Sequence, residues 1–160
     1  MTTQFYDVTW EWSTVSGASL RDVAAALEGL AEAGHARWSP QFSYEGGDGD
    51  VAASVAVTVG QEITLPNWDG RATASDAEGA EWDRFLSELQ AHEQGHLDLA
   101  VQYLGNLDER MVGQPISQLQ EIFDGALNDL QAASDAYDAS TDHGRNTGTI
   151  ISVDVDTPDQ

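Results

Sequence analysis

Over residues 75–111 the apolar side chains fall at Trp82, Phe85, Leu86 and Leu89, then at Leu99, Ala100, Tyr103, Leu104, Leu107 and Met111. This spacing repeats every 3.6 residues, so a helix gathers it onto one face, and a helix of that length needs a broad surface to pack against. The front of the chain supplies one, because its apolar period changes to two. Tyr6, Val8, Trp10 and Trp12 alternate, as do Val51, Ala53, Val55, Val57 and Val59, the pattern of half-buried strands. Residues 36–44 and 51–59, joined by the glycine-rich stretch 45–50, predict a hairpin, and EITLP (62–66) predicts a short strand after Gly60. Ser19 with Asp22 three residues on opens a first helix, carried by Leu20, Val23, Ala24, Leu27, Leu30 and Ala31 and stopped at Gly34. Gly113 and Pro115 end the long helix. Another follows over 117–137 on Leu119, Ile122, Phe123, Leu127 and Leu130, and TIISV (149–153) predicts a last strand. The expected fold class is α+β, a small mixed or antiparallel sheet packed on the long helix and a second, C-terminal helix. It forms one domain over 1–153, with an acidic, frayed tail at 154–160.

Charge narrows the partners. Against 28 Asp and Glu stand 6 basic residues, all of them Arg, giving a net charge of −22. Such a surface repels phosphate backbones and anionic membranes, which argues against nucleic-acid and membrane partners and suits a chain that works in high salt. No segment approaches the roughly 18 apolar residues of a membrane span. The N-terminus lacks the basic and apolar regions of a signal peptide, so the expectation is a cytoplasmic protein or a trimmed exported form. With no Cys in 160 residues, thiolate nucleophiles and Cys-based metal sites are excluded.

The long apolar stripe has a gap, and His92-Glu93-Gln94-Gly95-His96 fills it. Residues four apart on a helix differ by about 40° of rotation, so both imidazoles project from one face, one turn apart, in line with Leu89 and Leu99. This is the H-E-x-x-H arrangement, in which two neutral imidazoles occupy two corners of a tetrahedral zinc site. Glu93 stands about 100° round, able to reach a water without ligating. In a chain of this composition chance yields about 0.007 copies of the pattern, and two metal-free buried histidines would need other groups to offset their desolvation.

A catalytic zinc needs a third protein ligand. His143, between the turn formers Asp142 and Gly144, is the first choice, with carboxylates of the following helix, Glu121 and then Asp124, as alternatives. His35 reads as a structural or exposed loop residue, and Trp82 and Phe85 as core. Asp138 or Asp142 could orient a ligand imidazole. The turn carboxylates Asp48 and Asp50 lack the remaining positions of a calcium loop.

ARWSP-x-FSY, TLP-x-W, EWDRF shortly before the zinc motif, and YD-x-x-T-x-HG after it occur in that order. With them the chain resembles the bacterial family of zinc-dependent proteases known as domain of unknown function 922. The resemblance runs over residues 6–151. It implies a zincin-like fold with Zn2+ on His92 and His96, Glu93 in its usual role and His143 as the remaining histidine ligand; members are often exported. The expected function is peptide-bond hydrolysis on a peptide or protein substrate. Zinc lowers the pKa of a water to about 7, and Glu93 takes its proton and passes it to the leaving amine. Tyr137 or Arg145 would stabilise the oxyanion, and EITLP would form the sheet edge that takes the substrate by strand addition. Two other classes compete with this reading: an inactive zinc-binding domain, and an acidic protein-interaction module.

Overall fold

The computed structural model describes residues 3–30 and 32–153. Its elements in chain order are β1 (Gln4–Val15), α1 (Leu20–Glu28), β2 (His35–Gly46), β3 (Ala52–Trp68), α2 (Asp76–Leu104), α3 (Leu107–Met111) and α4 (Leu119–Thr141). The fold is α+β. Its three strands form one mixed sheet in the order β1-β3-β2, with β1 parallel and β2 antiparallel to β3.

The central strand explains most of the architecture. Val55, Val57, Val59, Ile63 and Leu65 stay in phase across Gly60, so what the sequence divided into two strands is one strand of 17 residues. Their shared face is buried beneath the helices. The opposite face carries Ser54, Thr58, Glu62 and Thr64 of β3 beside Ser39, Gln41 and Ser43 of β2, and is left to solvent, which a one-sided sheet tolerates. EITLP is therefore central rather than an edge. Pro66 is accommodated because β2 starts at His35 opposite Thr64, leaving no partner on that side of residue 66. The β2–β3 turn bends through Gly49 at φ 76° and Asp50 at φ 58°.

β1 differs from expectation in burial. A bulge between Phe5 and Val8 shifts its register, and Tyr6, Trp10 and Trp12 are exposed although Trp10 and Trp12 pair with buried Ile63 and Leu65. Phe5, Val8 and Val15 of β1 pack into the clusters beneath the helices, while Trp10 and Trp12 in its middle are left exposed.

Two apolar clusters hold the helices down. One joins Val55, Val57 and Val59 to Ala100, Leu104, Leu107 and Met111 and to Leu119, Phe123 and Leu130 of α4. The other joins Ile63, Leu65 and Trp68 to Leu20, Val23 and Leu27 of α1 and to Trp82, Phe85, Leu89 and Leu97 of α2. Trp38 packs against both. Ser19 and Ser75 cap α1 and α2, accepting from the amides of Asp22 (3.2 Å) and Glu78 (3.1 Å). The Glu78 carboxylate in turn accepts from the amide of Leu20, joining the two helix starts.

Three boundaries move. α1 stops at Gly29 rather than Gly34, and Leu30 turns outward, while Ala31 lies outside the described residues. The long helix breaks at Gly105 and Asn106, leaving α3 as a separate short piece, and α4 continues one turn beyond Tyr137. Residues 149–153 are not a strand; side chains of α2 hold them instead, as described below. The expected tail at 154–160 falls outside the described residues. Among the described residues no helix is long and apolar enough to cross a membrane.

Leu104 is fully buried where α2 meets the valines of β3. Leu104→Ala is expected to cost about 2–5 kcal/mol of stability, read from urea unfolding by circular dichroism.

Candidate functional site

α2 is apolar at both ends and polar in the middle; the polar stretch falls between Leu89 and Leu97, both in the second cluster, and the first cluster takes over from Ala100. His92, Glu93 and His96 are all nearly closed off from solvent there. α4 runs antiparallel across this stretch, since His92 meets Asp138 and His96 meets Ser134. The approach is close because Gly95 has no side chain: a Cβ there would fall 2.7 Å from Tyr137 Cζ and closer still to its hydroxyl. Tyr137 fills that notch. Its ring stacks on His92 at 4.8 Å and meets His96 edge-on at 4.8 Å, and its hydroxyl donates to the His92 carbonyl (3.1 Å).

Asp138 Oδ1 lies 3.0 Å from His92 Nε2 and 2.8 Å from His96 Nε2. These three residues bring their ligand atoms within 4.8 Å of one another, as no other group of metal-binding type does among the described residues. His96 Nδ1 lies 2.6 Å from Ser134 Oγ, which leaves Nε2 free to act as a ligand. His92 Nδ1 is buried with no hydrogen-bond partner among the described residues. Burial, reinforced by the neighbouring His96, holds the His92 pKa below the ordinary imidazole value, favouring the neutral ring that binds metals.

Glu93 is 5% exposed and, among the described residues, no hydrogen bond reaches its carboxyl. Desolvation, with Glu32 and Asp138 nearby, pushes its pKa up to about 8. A cation beside it would favour the ionised form. Tyr137 is likewise pushed up, mainly by burial and then by Glu93.

These groups open into a cavity of about 910 Å³ that extends under α1 and the start of β2, lined by His92, Glu93, His96 and Asp138 among others. His35 lies on its rim, its Nδ1 2.7 Å from Glu32. Arg145 also lines it, from the loop after α4. His143 is at the margin: its side chain is 71% exposed, and Nδ1 lies 3.8 Å from Asp138 Oδ2, outside the three-residue group. Asp142 and His143 both have positive φ (49° and 55°), so the chain reverses sharply there. Glu121 and Asp124 are exposed at the other end of α4, with Glu121 about 25 Å from Asp138 along the helix. His143 and Glu121 thus lie outside this group, whose third residue is Asp138, expected from the sequence only in a supporting role. Its i+4 spacing from Ser134, opposite the same spacing of His92 and His96, is the signal that could have marked it.

The chain belongs to the family described as bacterial protein of unknown function (DUF922), whose pattern matches residues 10–144. No curated protein and no solved structure matches it.

The Gly95 notch predicts a change of sign. Gly95→Ala alone is expected to destabilise by about 1–3 kcal/mol through overpacking against Tyr137. In a Tyr137→Ala background the same substitution is expected to stabilise by up to about 1 kcal/mol, because alanine favours helix over glycine. A double-mutant cycle by urea unfolding measures both.

Proposed function

We propose that this chain is a zinc-dependent peptidase of zincin-like type, with His92, His96 and Asp138 as the metal ligands and Glu93 as general base. The observation that supports this most is the meeting of two buried imidazole nitrogens and one carboxylate oxygen at the wall of a cavity that also holds an unpartnered, buried Glu93. The donor set suits zinc: imidazole nitrogen and carboxylate oxygen are ordinary ligands, and three protein ligands leave the open fourth position of a catalytic site. His96 carries the outer hydrogen bond to Ser134 typical of a metal-binding histidine. The two-histidine helix beneath a mixed sheet, with one edge strand at the cavity, supports the zincin-like assignment.

When bound, zinc supplies a Lewis acid for the substrate carbonyl and lowers the pKa of water. Glu93, one residue from His92 and shielded from bulk solvent, takes a proton from the attacking water and returns it to the leaving amine nitrogen. Tyr137 fixes the His92 ring and carbonyl, acting on a ligand rather than on substrate. Arg145, at the cavity mouth, counters the charge that develops on the carbonyl oxygen. His143 orients Asp138 from its outer side instead of ligating. Strand addition moves from EITLP to the outer edge of β2, where residues 35–38 border the cavity and an extended peptide can pair.

Elemental analysis of zinc-repleted protein tests the ligand set. One zinc per chain is expected in wild type and in His143→Ala, and loss of the metal in Asp138→Ala. Glu93→Gln should keep its zinc and hydrolyse fluorescently labelled casein about 10²–10⁴-fold more slowly. A wild-type chain that takes up no zinc overturns the metal site. Undiminished hydrolysis by Glu93→Gln overturns the role of that residue.

A further inference from the structure

Residues 148–152 belong to no helix or strand, and Thr149, Ile150 and Ile151 among them form part of the cavity wall. Their polar ties to α2 come from two side chains. Arg84 donates from Nη1 to the Gly148 carbonyl (2.9 Å) and from Nη2 to the Ile150 carbonyl (2.6 Å). Its Nε and Nη2 also grip the Glu81 carboxylate at 2.8 and 2.7 Å, and Glu81 accepts from the Ser152 amide (2.8 Å). The three main-chain groups sit on alternate residues, so one guanidinium and one carboxylate hold three successive anchor points of an irregular chain. Ile151 packs against the second apolar cluster, whereas Ile150 is 58% exposed.

The other end of the stretch presses on the site. A Cβ at Gly144 would fall 2.9 Å from His92 Cγ and 2.9 Å from Thr149 Cγ2, so the chain wedges against the His92 ring where no side chain fits. Gly144 has φ 89°, and Thr149 donates its amide to the Gly144 carbonyl (3.2 Å), closing the loop behind the ring.

We propose that residues 148–152 are a gate on the cavity, latched by Arg84 and Glu81. With the latch closed the stretch, through the Thr149 amide on the Gly144 carbonyl, holds Gly144 against the His92 ring; with it open that cover is released and the cleft widens. Arg84 is then a positioning residue that acts on the site through the gate. Only the identity of what enters rests on the peptidase reading, because the latch and the shielding are properties of the metal-free chain. The gate is built to open: half its anchor is the Arg84–Glu81 pair, whose Arg84 side chain is 43% exposed, and one isoleucine supplies its apolar contact with the core.

The experiment uses the full chain without metal, comparing wild type with Arg84→Gln. Amide exchange by mass spectrometry reads the latch, and the rate at which diethyl pyrocarbonate modifies His92 reads the shielding. In Arg84→Gln the amides of Thr149 and Ser152, the two that the structure shows hydrogen-bonded, are expected to exchange about tenfold faster, with the sheet unchanged. His92 should become modified faster, while His143, already 71% exposed, reacts at its former rate and serves as internal control. Glu81→Gln, which weakens the same latch from the other side, should give the same pattern and covers a failure of Arg84→Gln to fold. Unchanged exchange in these variants overturns the latch. Faster exchange with no change at His92 overturns the gate. Because neither rate involves zinc, a chain that proves unable to bind zinc would fail the peptidase reading while these rates still decide the gate.

Discussion

Asp138 Oδ1 sits within hydrogen-bonding distance of two imidazole nitrogens, and both imidazoles are nearly closed off from water. Drawing a carboxylate and two rings out of solvent is costly unless the geometry is fixed and the remaining polar atoms are satisfied. The surroundings are arranged accordingly. Gly95 lets α4 approach, Tyr137 fills the notch and grips His92, and Ser134 occupies the far nitrogen of His96. Among the described residues, His92 Nδ1 and the Glu93 carboxyl have no hydrogen-bond partner, and both belong to the motif itself.

The scaffold makes that arrangement affordable. Phased valines on β3 anchor the C-terminal half of α2 through one cluster, and Trp68, Trp82 and Phe85 anchor its N-terminal half through the other, with ring centroids 5.7 and 5.5 Å apart. A helix of about 43 Å held at both ends can carry polar residues in its middle without losing its place. The interruption in the hydrophobic stripe is tolerated because Leu89 and Leu97 of one cluster flank it and the other cluster follows from Ala100.

Much of this was legible in the sequence. The change of apolar period from two to 3.6 specified a sheet followed by helices, and the spacing of His92 and His96 placed both imidazoles on one buried helix face, because both signals are local. The hidden parts depend on contacts between distant residues. Pro66 looks like an edge residue until β2 proves too short to reach it. TIISV has the composition of a strand, yet Arg84, 66 residues away from Ile150, supplies its bonds. Asp138 is one of many acidic residues until the antiparallel crossing of α4 sets it against both histidines. His143 stood out by residue type; a single αL turn carries it outward and leaves Asp138 closer.

Leu130 is the last residue of α4 in the apolar core, and beyond it Ser134 alone is fully buried. The final turns of α4 are therefore held to α2 chiefly by Ser134, Tyr137 and Asp138, through His92 and His96. Unwinding those turns would withdraw Asp138 from both histidines. The geometry of the cluster is then a property of helix stability, adjustable from residues 131–141 by substitutions outside it.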